Sequence, residues 1–273
     1  MRNVNWAVNQ AELRKAISDM GINSLLVHSD SFKALRYIDF DQDVALNMQK
    51  HVDFLFSLCD SVHLPSFNYN FPRTRIFNYD SFDVQVGAIP TFYLETNDCN
   101  RTFDPMFSVI QERGDTSFTS FRSQVTSFEQ DGYFSRYRNE GSGFLLYGST
   151  IAYLTFIHYL EACMEVAYRY DKSFFGHAVI GQEKLDFEFK SHFRPLGNHM
   201  DYDWKKIAND LVEAEVMVSL NKYCHIIDAH KMFFFWQDKL KNNGLYFLDD
   251  ESLDWVEPKL NELGRRFLIS DFE

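Results

Sequence analysis

Apolar positions in this chain switch repeatedly between helical spacing and short unbroken runs, and the predicted elements follow from those switches. Leu13, Ile17 and Met20 form the stripe of a first helix, closed by Gly21. Ser24-Leu25-Leu26-Val27 is a continuous run, the pattern of a strand buried on both faces, and it leads into the polar cluster His28-Ser29-Asp30-Ser31. Val44, Met48, Val52, Leu55 and Cys59 return to the helical period, with Asp39 or Asp41 as the cap, and Ser61 to Leu64 is a strand stopped by Pro65. Residues 66–80, rich in Asn, Pro and Tyr, predict a long loop. Residues 114–143 are polar and aromatic, with a helix near 128–136.

The middle of the chain carries the strongest pattern. Phe144-Leu145-Leu146-Tyr147, between Gly143 and Gly148, predicts a second strand buried on both faces. Leu154, Ile157, Leu160 and Met164 then predict a helix from near Ile151 to about Tyr170. On it Thr155, His158 and Glu161 lie three apart and share one face. Leu185, Phe187 and Phe189 alternate as in a half-buried antiparallel strand. Trp204, Ile207, Leu211 and the run 214–218 read as a helix capped by Asp201 or Asp203. A strand at Tyr223 to Ile227 and an Asp228-capped helix through Met232, Trp236 and Leu240 follow. Leu253, Val256, Leu260 and Phe267 mark a last helix. No repeat or low-complexity linker divides the chain, so residues 1–273 are expected to form a single domain.

Composition narrows the classes. With 45% hydrophobic residues the 273-residue chain has ample material for a core, and 28 Phe spread along it are mostly core. A formal charge of −12 argues against nonspecific binding to nucleic acid or anionic membrane, and it suits a cationic substrate. The four cysteines, Cys59, Cys99, Cys163 and Cys224, are isolated, so neither a disulfide framework nor a structural zinc is expected. Free thiols, no apolar stretch in the first ten residues and no run of 18 apolar residues together lead to the expectation of a cytoplasmic protein without a membrane span.

Histidine is the side chain that titrates near neutrality unaided, and a carboxylate on its second nitrogen fixes the tautomer. His158 and Glu161 supply that pair from one helix face, a general base with its orienter. Two plainer uses compete: an ordinary hydrogen bond at this spacing, and half of a two-metal site, which would need a second E-x-x-H that the chain lacks. Ser149, Thr155 or an amide near Gly148 is placed to serve a developing oxyanion. The G-x-S-x-G elbow, the phosphate loop and the dinucleotide fingerprint are all missing.

The run LLYGSTIAYLTFIHYLEA, with T-x-x-H-x-x-E after a strand ending in Gly, resembles the core segment of the aminoglycoside 3-N-acetyltransferase family, the antibiotic N-acetyltransferases. Two further stretches are similar to that family: Val27-His28-Ser29-Asp30-Ser31, and the segment Phe82 to Ser108 with Val86-Gly87-Ala88 and Arg101-Thr102-Phe103-Asp104-Pro105-Met106-Phe107-Ser108. The resemblance implies an α/β fold, a central mixed β-sheet flanked by helices, and acetyl-CoA as co-substrate. It also implies His158, Glu161 and Thr155 as catalytic residues, and His28, Ser29, Ser31 and Ser108 on the coenzyme A side. Asp83 and Asp104 fall on the amine side, and no metal is implied. Asp30 and Asp104 depart from the pattern, which has a small hydroxyl residue and a His there. For Asp104 the alternative is a turn-forming Asp-Pro. The expected activity is acetylation of an amino sugar, a nucleotide-linked one bound for a surface polysaccharide included. The alternatives are an aminoglycoside acceptor and a non-catalytic coenzyme A or sugar binder. The sequence leaves the oligomeric state open.

Overall fold

The computed structural model describes residues 9–81, 83–111 and 114–273. The opening residues 1–8 and Phe82, which begins the second family-like segment, lie outside the described residues.

The first half runs α1 (Gln10–Asp19), β1 (Ser24–Ser29), α2 (Ser31–Ala34), α3 (Val44–Phe56), β2 (Ser61–Pro65), α4 (Phe71–Thr74), β3 (Ile76–Asn78), α5 (Ala88–Thr96), β4 (Asn100–Arg101), β5 (Val109–Gln111) and β6 (Gln124–Thr126). The second runs β7 (Ser142–Tyr147), α6 (Phe156–Cys163), β8 (Tyr170–Ile180), β9 (Glu183–Phe193), α7 (Trp204–Glu213), β10 (Met217–Asn221), β11 (Cys224–Asp228), α8 (Ala229–Asn242) and α9 (Asp250–Leu263).

The central sheet has the order β10-β11-β7-β1-β2-β5-β4. Strands β7, β1 and β2 are parallel, and antiparallel pairs extend both sides, which makes the sheet mixed. Strand β7 shows why an unbroken apolar run was needed: Phe144 and Leu146 enter one core with α6, α7 and α8, while Leu145 and Tyr147 enter the other with α1, α3 and α5. A second sheet, β3-β8-β9-β6, is built on the long β8–β9 hairpin and encloses Phe71, Phe77, Phe103, Phe174, Phe187 and Phe189. Much of the phenylalanine excess is therefore packing.

Several expectations need correction. Helix α3 is capped by Asp43, whose carboxylate accepts from the amides of Ala45 and Leu46, not by Asp39 or Asp41. Residues 66–80 hold α4 and β3 rather than one loop, because Ile76–Asn78 finds a parallel partner in His177–Val179. The expected helix near 128–136 is a 3-10 turn at Tyr133–Arg138. The central helix ends at Cys163, not near Tyr170: Glu165 adopts φ +47 and turns the chain, so Tyr170 begins β8. Helix α7 stops at Glu213, and Met217–Asn221 is a strand, paired with β11.

Candidate active site

Parallel strands β1 and β7 end side by side, and their C-terminal ends carry His28-Ser29 and Gly148-Ser149, the position where open α/β sheets collect ligands. A cavity of ≈ 350 Å³ opens there, lined by His28, Ser29, Asp30 and Ser31, by Gly87 and Ala88 at the start of α5, and by Ser149, Tyr153 and Thr155. His28 is buried with Nε2 lacking a partner, and Ser29 Oγ is likewise buried and unsatisfied. Such atoms ask for a polar ligand group. Burial pushes the His28 pKa down to about 4, so the ring is neutral. Asp30 caps α2 through Lys33 N at 3.1 Å and pairs with the Lys33 ammonium at 2.8 Å. The start of α5 has no side-chain cap, so its first amides are available to the cavity it lines.

Thr155 leads directly into α6, where His158 and Glu161 meet as their spacing predicts: Nδ1 of His158 lies 2.9 Å from Oε2 of Glu161. Glu161 is fully buried and heavily bonded. Arg169 Nε sits 2.8 Å from Oε2, and Oε1 accepts from Tyr168 at 2.9 Å and Tyr202 at 2.6 Å. Arg169 also donates to the Tyr202 hydroxyl. Burial raises the Glu161 pKa, but the Arg169 charge and the donors outweigh it and bring the group to about 2. Nδ1 also lies 3.2 Å from Arg169 Nη2 and 3.3 Å from the Tyr202 hydroxyl, and a carboxylate this firmly ionised favours the His158 proton on Nδ1, with Nε2 as the lone-pair nitrogen. Burial and then Arg169 lower the His158 pKa against the opposing pull of Glu161, so the imidazole is a free base at neutral pH. Its side chain stays 28% exposed, with Phe128 packed against the ring at 5.9 Å.

The remaining candidates separate. His28, Ser29, Ser31 and Thr155 share the first cavity. Ser108 does not join them: it is buried, its hydroxyl lies 2.8 Å from that of Ser66, and it borders a different cleft of ≈ 220 Å³ together with exposed Asp83. Asp104 takes the turn-forming role, with Oδ1 accepting from the amides of Met106 and Phe107 and Oδ2 from Ser127 at 2.7 Å. It borders a small cavity beside Phe128, one ring away from His158. Among the described residues no group of three or more His, Cys, Asp or Glu is placed to hold a metal ion, and no helix is long and apolar enough to cross a membrane.

No protein-family model and no curated protein sequence matches the chain. Solved structures do match in three dimensions. Aminoglycoside acetyltransferase AAC(3)-IVa superposes with a TM-score of 0.64 at 15% identity, covering 94% of this chain and 99% of that one. AAC-IIIb, solved as a binary complex with CoASH, gives 0.65 at 12% identity over 86% and 97% of the two chains. AAC-VIa bound to sisomicin gives 0.63 at 16% identity over 86% and 98%. The fold is that of the AAC(3) aminoglycoside acetyltransferases.

Within this fold, sequence reasoning missed the groups that hold His158 in place. Arg169, Tyr168 and Tyr202 approach Glu161 from outside α6, and only the early helix end at Cys163 brings Tyr168 and Arg169 back onto it. Three further His–carboxylate pairs were also missed, His177–Asp186, His199–Asp249 and the buried one, in which His192 Nδ1 lies 3.1 Å from Asp171 and Nε2 has no partner.

The Glu161 cluster makes a stability prediction with a fixed sign. The folded pKa of about 2 lies below the ordinary 4.5, so Glu161 stabilises the fold fully above pH 4.5 and loses that contribution as the pH falls toward 2. The loss is on the order of 3 kcal/mol. Urea unfolding between pH 6 and pH 3 should show a shallower acid decline in Glu161→Gln than in the parent, from a lower starting stability because Arg169 is left unpaired. Equal declines in the two proteins would refute the assignment.

Proposed function

We propose that this chain is an acyl-CoA-dependent N-acetyltransferase in which His158 is the general base. The observation that carries the reading is the His158–Glu161 pair, 2.9 Å apart, with its carboxylate pinned by Arg169 and its helix beginning at a cavity whose wall holds unsatisfied polar atoms. An amine attacks a thioester only as the free base. The ammonium would first lose one proton to water; as the neutral nitrogen forms its bond to the acyl carbon, Nε2 of His158 would take its second proton, and the C–S bond would break with the sulfur leaving as the thiol on receiving that proton from the imidazolium. Acetyl-CoA supplies the activated acyl group. His28 Nε2 and Ser29 Oγ, each without a partner in the protein, and the first amides of α5, which no side chain caps, fit the amides and hydroxyl of a pantetheine arm. Ser149 and Thr155 border the same cavity and are the groups we assign to the developing oxyanion. Ser108, paired with Ser66, borders the other cleft and not this cavity.

The acceptor we propose is the amine of an amino sugar, a nucleotide-linked one included. What supports it is the cleft bordered by Asn68, Asn70, Asn78, Ser81 and Asp83, with Arg101 also in its wall, whose amides and hydroxyl suit sugar hydroxyls, on a chain whose formal charge of −12 suits a cationic substrate. Neighbours of this fold are solved with sisomicin and with a gentamicin bound, so aminoglycosides are the competing acceptors. Incubation with acetyl-CoA and separate panels of amino sugars and aminoglycosides, followed by release of free thiol, should give turnover with the amino sugars. Turnover with aminoglycosides alone would reassign the acceptor, and no thiol release with any amine would remove the enzymatic reading.

A further inference from the structure

We propose that Phe128 is a positioning residue for His158: its ring, clamped through Ser127 and Asp104, holds the imidazole in one orientation and keeps water from it. This rests on the reading of His158 as the general base and deepens it.

The backbone gives the first argument. Among the described residues five other than glycine have a positive φ: Arg75, Phe118, Phe128, Glu165 and Glu215. Four of them are exposed, and Phe128, at φ +62, is buried. A bulky side chain in the left-handed region is costly, so its surroundings must hold it there. Strand β6 ends at Thr126, and the amide of Ser127 donates to Lys190 O on β9 at 3.0 Å. The Ser127 hydroxyl donates to Asp104 Oδ2 at 2.7 Å, and Asp104 Oδ1 accepts from the amides of Met106 and Phe107 at 2.9 and 2.8 Å. Ser127 is thus fixed through both its amide and its hydroxyl, and the left-handed turn at the next residue carries the Phe128 ring to His158 on α6.

The packing gives the second. The centre of the Phe128 ring lies 4.6 Å from that of Phe107, 5.2 Å from that of Phe134 and 5.9 Å from that of His158. Asp104 holds the amide of Phe107 as well as Ser127, so one carboxylate sets two of these rings. The polar groups around the imidazole are Glu161 from its own helix, Arg169 just before β8 and Tyr202 just before α7, with His192 on β9 within electrostatic reach. Glu161, Arg169 and Tyr202 all meet His158 at Nδ1, so they hold one edge of the ring while Phe128 braces it from the apolar side. Asp104, Arg122 and Glu129 border the small cavity that Phe128 also lines. Burial is the largest influence lowering the His158 pKa, and Phe128 supplies part of that burial without adding charge.

The test uses the full chain and the variants Phe128→Ala, Phe128→Gly and Ser127→Ala, each checked for folding by circular dichroism. In Phe128→Ala the single-turnover rate of thiol release should fall about 10- to 100-fold, since a small misplacement of the base is enough for that. KM for acetyl-CoA should stay at the parent value, because Phe128 is not in the wall of the first cavity. The pH limb set by the base should move up toward the ordinary 6.5 as the imidazole gains water. Ser127→Ala keeps the ring and removes its clamp, so it should show the same changes to a smaller degree, and it carries the measurement if Phe128→Ala does not fold. A ring that is only core would lower stability and leave the limb in place; that result, or an unchanged rate in the folded variant, overturns the proposal. Urea unfolding reads the clamp. Glycine adopts φ +62 freely, so Phe128→Gly should unfold at higher urea than Phe128→Ala, the reverse of their usual order. The usual order would show a backbone that is not held, and it overturns the proposal too. Nitrogen NMR of the imidazoles, with His158 assigned by its loss in His158→Ala, separates this proposal from the reading beneath it. If no amine is acetylated yet the His158 titration moves up in Phe128→Ala, the brace stands and the transfer reading alone is lost. If that titration stays in place, the brace is overturned whether or not the protein turns over.

Discussion

Replacing His158 by Ala is expected to lower the single-turnover rate of thiol release about 100- to 10,000-fold while coenzyme A still binds. The split follows from where the residue stands. His158 is not part of the wall around His28, Ser29 and Ser149, so deleting the imidazole leaves the unsatisfied polar atoms of that cavity untouched. On the proposed reading, what would disappear is the neutral nitrogen that takes the amine proton, a loss of about 3 to 5 kcal/mol of transition-state stabilisation. Glu161→Gln should fall short of that effect in rate but exceed it in lost stability, because the imidazole remains while Arg169 loses its counter-charge. The pH profile gives an independent check. With the His158 pKa lowered by burial and Arg169, the limb set by this base should lie below pH 6.5, and the limb should vanish in His158→Ala. A variant that releases thiol as fast as the parent, or a parent with no rate to lose, would make the chain a binder with a well-ordered histidine.

The sequence made this pair legible because both partners lie on one turn of one helix, where spacing alone brings them together. Strands β1 and β7 were legible for a related reason: a strand covered on both faces has no polar alternation to blur its run, and Leu25, Leu26, Leu145 and Leu146 are all fully buried. The rest of the constellation depends on contacts that no local pattern records. Tyr202 reaches Glu161 across 41 residues, and the spacing of Val166 and Tyr170 continues the helical period past the point where Glu165 turns the chain. Val216, Met217 and Val218 form an apolar run too short to tell strand from helix, and pairing with β11 decides it. The second sheet was hidden because β3 and β6 are three-residue edge strands whose parallel partners lie far along the chain, in β8 and β9.

Gly148→Ala is expected to be the most damaging single methyl that can be added near the site. At φ +74 Gly148 occupies the left-handed region, which costs about 1 to 2 kcal/mol for a residue with a side chain. The added Cβ would also fall 2.3 Å from the carbonyl oxygen of Asp30 and 3.0 Å from the amide of Ala34, both backbone atoms that no rotamer change can move. Those atoms are fixed: Asp30 N donates to Tyr147 O at 2.9 Å, and Ala34 N donates to Asp30 O at 3.0 Å. Overpacking of this kind adds typically about 1 to 3 kcal/mol, so the total destabilisation should reach about 2 to 5 kcal/mol, a large share of the stability of an ordinary fold. The comparison that isolates packing from conformation is Gly181→Ala, where φ is +59 and no atom lies within 4 Å of the new Cβ. That change should cost only the conformational part, about 1 to 2 kcal/mol. Urea unfolding of both variants reads the difference. In whatever Gly148→Ala protein folds, residues 28–31 must shift away from the end of β7, and KM for acetyl-CoA should rise more than kcat falls. Equal destabilisation by the two substitutions, or an unchanged KM, would mean that the contact between β7 and the start of α2 does not fix the wall of the cavity.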